Sequence, residues 1–146
     1  MSAKNSDDLL VRLLHTFQDA LACWCASVRP NGRVHLAPIW HVVHRDRVYL
    51  VTRSSSVRAH NIAANNDVSL SMPDPMNALI LEGKARPTPE REAEIQPLFL
   101  AKYGWDISTD ADYELILEVT PVKIMAWGDH GEGRWRYNDG HFTKIR

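Results

Sequence analysis

Residues 34–72 read VHLAPIWHVVHRDRVYLVTRSSSVRAHNIAANNDVSLSM, and this stretch decides the fold. Between residues 33 and 43 the side chains alternate. Val34, Leu36, Pro38, Trp40 and Val42 fall on one face, and His35, Ala37, Ile39 and His41 on the other, which predicts one strand. Pro38 cannot donate to a ladder, so it belongs at an edge, a bulge or a place where pairing stops beside a ligand. Polar residues 44–47 turn the chain into a strand over 48–53. Three serines then lead to a short helix over 57–66, and a further strand follows at 68–72.

Outward from this stretch the pattern stays rich in strands. On the N-terminal side, Ser6, Asp7 and Asp8 predict a cap and acidic first turn for an amphipathic helix whose apolar stripe is Leu9, Leu10, Leu13, Leu14 and Phe17. A strand over 21–28 ends in the turn residues Arg29, Pro30, Asn31 and Gly32. On the C-terminal side a strand is predicted at 79–85. Thr88, Pro89 and Glu90 then predict the cap and first turn of a helix running to residue 103, with Pro97 kinking or dividing it. A long strand over 115–127, interrupted near Pro121, and a hairpin over 134–145 turning at Asn138, Asp139 and Gly140 complete the chain. The expected architecture is mainly β, an antiparallel barrel with appended helices, formed by one domain over 1–146. A glycine-rich dinucleotide loop and the alternating α/β pattern of a doubly wound sheet are both missing.

Composition narrows the function. With 17 basic and 18 acidic side chains the formal net charge is −1, which offers no global attraction to nucleic acid or an anionic membrane. No apolar run is long enough to span a bilayer, and residues 1–8 are polar where a secretory signal needs a basic start and an apolar stretch. The expectation is a cytoplasmic protein. Cys23 and Cys25 would share one strand face and could not easily bridge each other, which suits a reducing compartment.

Chemistry concentrates in residues 52–61, TRSSSVRAHN. Hydroxyls, unpaired first-turn N–H groups and the cations Arg58 and Arg53 meet at a helix N-terminus, a combination that suits phosphate. A capping loop with solvated arginines explains the same residues without a ligand.

The order and spacing of these motifs resemble the pyridoxamine 5′-phosphate oxidase-like family of FMN-binding split barrels. The matching features are a strand ending in Pro38-Ile39-Trp40, a turn, and a strand ending in Thr52. They continue with Ser56, Arg58, Ala59 and Asn61, then Asp67-Val68-Ser69-Leu70. The stretch lies closest to the branch that includes deazaflavin-dependent reductases. The resemblance implies an antiparallel split β-barrel and an oxidoreductase acting on a small molecule, with FMN or a deazaflavin at the interface of a homodimer. It places the cofactor phosphate at Thr52, Ser56 and Arg58, and the flavin ring along His35, Ala37, Pro38, Ile39, Trp40 and Val51. Val57, the tenth cofactor-binding position that the resemblance implies, stands where authentic pyridoxamine phosphate oxidases carry a second basic residue, and His35 and Trp40 stand where they carry arginine and lysine. Vitamin B6 oxidation is therefore not expected, and no catalytic acid or base is assigned, because a bound flavin supplies the redox chemistry itself. A non-catalytic flavin or haem carrier or sensor is the alternative.

The seven histidines suggest no metal site: His35 and His41 lie about 20 Å apart at strand rise, and zinc-type spacing is missing. His60 is the best single haem-ligand candidate, and Trp40 or Trp127 could cover a flavin ring.

Overall fold

The computed structural model describes residues 8–129 and 131–145. The predicted cap at Ser6 and Asp7 lies outside them. Helix α1 (Asp8–Asp19) buries Leu10, Leu13 and Phe17 of the predicted stripe and leaves Leu9 and Leu14 partly buried against the same core. Nine strands follow among the described residues: β1 (Cys23–Val28), β2 (Val34–Ile39), β3 (His41–His44), β4 (Arg47–Thr52), β5 (Asp67–Ser71), β6 (Asn77–Pro87), β7 (Leu115–Gly128), β8 (Gly133–Asn138) and β9 (His141–Lys144). Helix α2 (Val57–Ala64) connects β4 to β5, and helix α3 (Glu92–Tyr103) lies between β6 and β7.

All pairings are antiparallel, and the sheet runs β2-β1-β5-β6-β7-β4-β3, with β8 and β9 branching from the far half of β7. The two ends of this path, β2 and β3, are separated in sequence by Trp40 alone. The sheet must therefore curl until its edges meet at that residue, which makes it a barrel. The single strand predicted over 33–43 is thus two strands, β2 paired to β1 and β3 paired to β4. The period of two continues through Trp40, so the change of partner leaves no mark in the alternation.

The barrel interior holds Phe17 and Leu13 of α1 against Cys25, Leu50, Leu70, Leu81, Leu117, Ile124 and Trp135. A second core outside the barrel packs Ile95 and Phe99 of α3, with Ile107, on Val42, Tyr49, Val51 and Ile116. Strand β4 contributes to both, which explains its unbroken apolar run. Cys23 and Cys25 are buried free thiols on one face of β1, as expected, and burial pushes Cys23 well above the usual thiol range and raises Cys25.

Three further expectations are corrected. Thr88 makes no side-chain cap; a 3₁₀ turn (Pro89–Arg91) intervenes, and α3 then continues uninterrupted through Pro97. Strand β7 is not broken at Pro121. Its register against β6 shifts between Glu82 and Gly83, so Val122 forms a bulge. Gly83 is required there, since a Cβ would lie 2.6 Å from the Thr120 carbonyl oxygen. The helix predicted over 57–66 stops at Ala64.

Two polar devices brace the closure. Glu118 on β7, almost fully buried, sits 3.1 Å from both Arg86 and Arg91 and accepts from the Tyr49 hydroxyl at 2.9 Å, tying β4, β6 and the 3₁₀ turn together. At the seam itself, fully buried His41 has Nε2 2.6 Å from the Phe17 carbonyl oxygen, and its ring stacks on Phe17 at 4.5 Å. The His41 carbonyl accepts from Lys102 Nζ at 2.8 Å, and the His41 N–H donates to Tyr103 Oη at 3.0 Å. The last turn of α3 thereby clamps the residue that follows Trp40.

Glu118→Gln should cost about 1–3 kcal/mol in urea unfolding, because the buried Tyr49 hydroxyl loses its charged partner, while the partly exposed Arg86 and Arg91, and the more distant Arg47, 3.9 Å from Glu118, keep their solvent. An unchanged midpoint would show that the cluster contributes nothing net. His41 has its pKa pushed down from 6.5 to about 4, first by burial and then by the Lys102 charge. The unfolded chain takes up this proton near pH 6.5, whereas the native state resists it until about pH 4. Stability from this group is therefore level above pH 6.5 and falls as pH drops through that window, by on the order of 3 kcal/mol in full. Urea midpoints measured between pH 7.5 and 5.5, above the carboxylate range, should decline; a flat profile would remove His41 as the cause.

Candidate functional site

Strand β4 delivers Thr52 to the barrel rim, and Ser56 caps α2 with extended φ/ψ of −70° and 156°. The Ser56 Oγ accepts from the Ala59 N–H at 3.0 Å and from the Thr52 hydroxyl at 3.1 Å. Both bonds use its lone pairs, so its own proton remains available to an acceptor in the cavity it lines. The capping reading of the serine loop is correct as far as it goes, and it leaves a donor over.

Helix α2 lies on the barrel through Arg58, Ala59, Asn61 and Ile62. Asn61 is buried and donates from Nδ2 to Ser27 Oγ at 3.0 Å, which seats the helix on β1. Arg58 is turned inward and only 8% exposed. Its Nη2 donates to the carbonyl oxygens of Ala37 (3.2 Å) and Pro38 (3.1 Å), and its Nε is buried without a hydrogen-bond partner among the described residues. A guanidinium so placed holds the end of β2 and still has an N–H to give. Its charge also lies beside the Cys25 thiol and opposes the upward push of burial there.

These groups line a cavity of about 700 Å³, within the size range of cofactor sites. Of the ten residues nominated from the sequence, Pro38, Ile39, Trp40, Val51, Thr52, Ser56 and Arg58 line it. His35, Ala37 and Val57 do not. Ala37 acts through its carbonyl on Arg58, and Val57 is about half-exposed on the first turn of α2. The His35 side chain is half-buried with Nδ1 unpartnered among the described residues; burial, then the charges of Arg58 and Arg29, lower its pKa. Trp127 does not line this cavity, and His60 is exposed on α2 outside it. Among the described residues no group of three or more His, Cys, Asp or Glu could hold a metal ion.

Arg53, nominated as a second cation, also lines the cavity, whereas the wall of Trp105, Asp110 and Tyr113 was not foreseen. Trp40 stacks on Tyr103 at 4.2 Å with the rings 6° from parallel, and meets Trp105 edge-on at 5.3 Å. Trp105 in turn meets Tyr113 edge-on at 5.4 Å, and the Arg53 guanidinium lies 4.8 Å from the Tyr113 ring centre. The Trp105 indole N–H donates to Asp110 at 3.1 Å. Asp110 also accepts from the Asp112 and Tyr113 N–H groups, and these bonds hold its carboxyl below the usual range. The one sequence signal for this wall was aromatic density between α3 and β7, which has no period of its own.

Comparison with known proteins follows this geometry. The family model described as "Pyridoxamine 5'-phosphate oxidase" matches residues 12–128. Among solved structures, one described as an F420 reductase is 20% identical, covers 75% of this chain and 94% of its own, and superposes with a TM-score of 0.62. HutZ of Vibrio cholerae, described as a haem storage protein, is 15% identical over 86% of this chain and 94% of its own, with a TM-score of 0.69. A pyridoxamine 5′-phosphate oxidase-related, FMN-binding protein of Nostoc punctiforme is 14% identical over 100% of this chain and 97% of its own, with a TM-score of 0.61. The search of curated proteins found none that matches. At these identities the solved structures show a shared fold, and the family match over most of the chain shows its membership: the chain belongs to the pyridoxamine 5′-phosphate oxidase family.

Proposed function

We propose that the chain is an oxidoreductase that binds a flavin, FMN or a deazaflavin, with its phosphate at Thr52, Ser56 and Arg58 and its ring toward Pro38, Ile39, Trp40 and Val51. The observation that carries this reading is Arg58: buried beside two hydroxyls at a helix N-terminus, in a cavity of cofactor size, with a buried Nε still unpartnered among the described residues. A buried polar atom without a partner costs roughly 1–3 kcal/mol, and an anion there would remove that cost. The family membership supports the same reading, as do the relatives described as FMN-binding or as an F420 reductase.

When bound, the flavin supplies hydride or electron transfer to or from a small organic substrate. The chain's contribution is position and shielding. Ser56, through the hydroxyl proton that its two accepted bonds leave free, and the first-turn N–H groups would fix the anion, with the Thr52 hydroxyl holding Ser56 in place. Arg58 would couple that anion to the carbonyls of β2. Trp40, held flat against Tyr103, offers an apolar surface that excludes water from one side. The haem alternative rests on the description of HutZ, since His60 lies outside the cavity lining.

We also infer that a second copy of the chain covers the outer face of β1 and β2. Trp24 pairs with Pro38, Ala26 with Leu36 and Val28 with Val34, and Trp24, Val34 and Leu36 are 41%, 67% and 61% exposed. Pro38 belongs both to this face and to the cavity lining, so a partner seated there would meet the cofactor's edge. This is the homodimer that the resemblance implies.

The absorption spectrum of the purified protein, with mass measurement of any released ligand, tests the flavin reading; a chain that takes up none of the flavins offered would overturn it. Arg58→Ala should weaken flavin binding by roughly 1.5–3 kcal/mol in a fluorescence titration, and unchanged affinity would remove Arg58 from the phosphate site. Leu36→Asp should convert a dimer to a monomer in light scattering and weaken flavin binding together with it. A wild-type protein that is already monomeric would sink the interface proposal.

A further inference from the structure

Lys102 sits in the last turn of α3, where the carbonyl end of a helix favours a cation. It is half-buried, and its Nζ donates to the His41 carbonyl at 2.8 Å and lies 5.1 Å from the Tyr103 ring centre. Among the described residues it forms no ion pair, whereas Lys84 is exposed and paired with Asp67. Lys102 also lines a cavity of about 370 Å³ that shares no lining residue with the one at Arg58. Leu21, Val42, Leu98 and Ala101 supply its apolar wall, and Asp19 its only acid.

An ammonium group in such surroundings loses hydration that one carbonyl only partly replaces, so burial favours the free amine. Burial pushes Lys102 down from 10.5 to about 8, against the opposing charges of Cys23 on β1 and Asp19 on α1. The other titratable neighbours are neutral near pH 7, since burial holds His41 of β3 down at about 4 and Tyr103 of α3 up at about 12. Roughly a tenth of Lys102 is then free amine at pH 7, against well under a thousandth for an ordinary lysine. A free amine at the wall of an apolar cavity is a nucleophile, and the cavity suits a product that carries no charge.

We propose that Lys102 is an acylation site for short acyl thioesters, with the acyl chain lying against Val42, Leu98 and Ala101. Nζ attacks the thioester carbonyl carbon and a C–N bond forms. The C–S bond breaks, the thiolate takes the bonding pair, and the proton lost by the amine ends on the thiol. The amide keeps one N–H, and the positive charge is gone. That charge is the second cause of the lowered His41 pKa, so the modification is felt at the seam beside Trp40.

The test labels wild-type protein with the acetyl and butyryl thioesters of N-acetylcysteamine between pH 6.5 and 9, each lysine being followed by peptide mass spectrometry. At pH 7.5 Lys102 should react at least fivefold faster than Lys84, and its rate should level off above about pH 8 while that of Lys84 keeps rising. The ratio of butyryl to acetyl rates should be higher at Lys102 than at Lys84, and Ala101→Gln, at an exposed position, should slow Lys102 alone. A Lys102 rate no greater than that of Lys84, or one still climbing at pH 9, overturns the proposal. Equal ratios at the two lysines overturn the placing of the acyl chain. In protein acylated at Lys102, the urea midpoint should fall less between pH 7.5 and 5.5 than in untreated protein, because the native His41 pKa moves back toward 6.5 once the neighbouring charge is lost. An unchanged decline overturns the link to the seam.

Discussion

Everything in this structure depends on the meeting of β2 and β3 at Trp40. A seven-strand path whose ends are one residue apart in sequence can only close on itself, so barrel curvature is imposed by covalent connectivity as well as by strand twist. The seam is also where backbone pairing is interrupted, and interrupted pairing leaves polar groups to be satisfied by other means. Arg58 satisfies Ala37 and Pro38 on one side of Trp40, while Lys102 and Tyr103 satisfy His41 on the other. Two helices, from opposite flanks, hold one discontinuity.

That arrangement explains why a cavity forms at this location. A closed hydrogen-bonded barrel wall presents no donors sideways, but a seam braced by side chains brings a guanidinium and a broad aromatic surface to the rim. Arg58 is at once structural and available: two carbonyls orient it, and burial strengthens its remaining N–H through the low local dielectric. The same residue that finishes the backbone's hydrogen bonding thereby sets the electrostatic character of the cavity. Asp110, which also lines the cavity, then moderates that character from the segment between α3 and β7.

Much of the architecture was legible because it is local. The α1 stripe, the turn chemistry around Gly32 and Gly140, and the Ser56 cap each announce themselves within a few residues. Seven of the ten nominated site residues meet in one cavity because β4 and α2 are consecutive and the motif spans both. The unreadable parts are those set by tertiary partners. Alternation runs unbroken through Trp40, so the exchange from β1 to β4 is silent. Trp105, Asp110 and Tyr113 come to the site from more than fifty positions downstream of Thr52, and nothing near them signals that destination. Thr88 has the composition of a cap, but the chain there is still leaving β6 and enters a 3₁₀ turn first. Pro121 suggested a break, whereas Gly83 opposite it lets β7 continue as a bulge.

The placement of α1 has a consequence for biosynthesis. Leu10, Leu13 and Phe17 belong to the same buried cluster as Leu117, Ile124 and Trp135, so the helix made early packs on strands made near the end. Strands β1, β3 and β4 offer it partial cover as they appear, but the share of the cluster from β7 and β8 is missing through most of translation. Complete burial of the N-terminal helix must therefore wait until β7 and β8 emerge. The burden of long-range closure thus falls on the ribosome-bound chain as much as on the finished barrel.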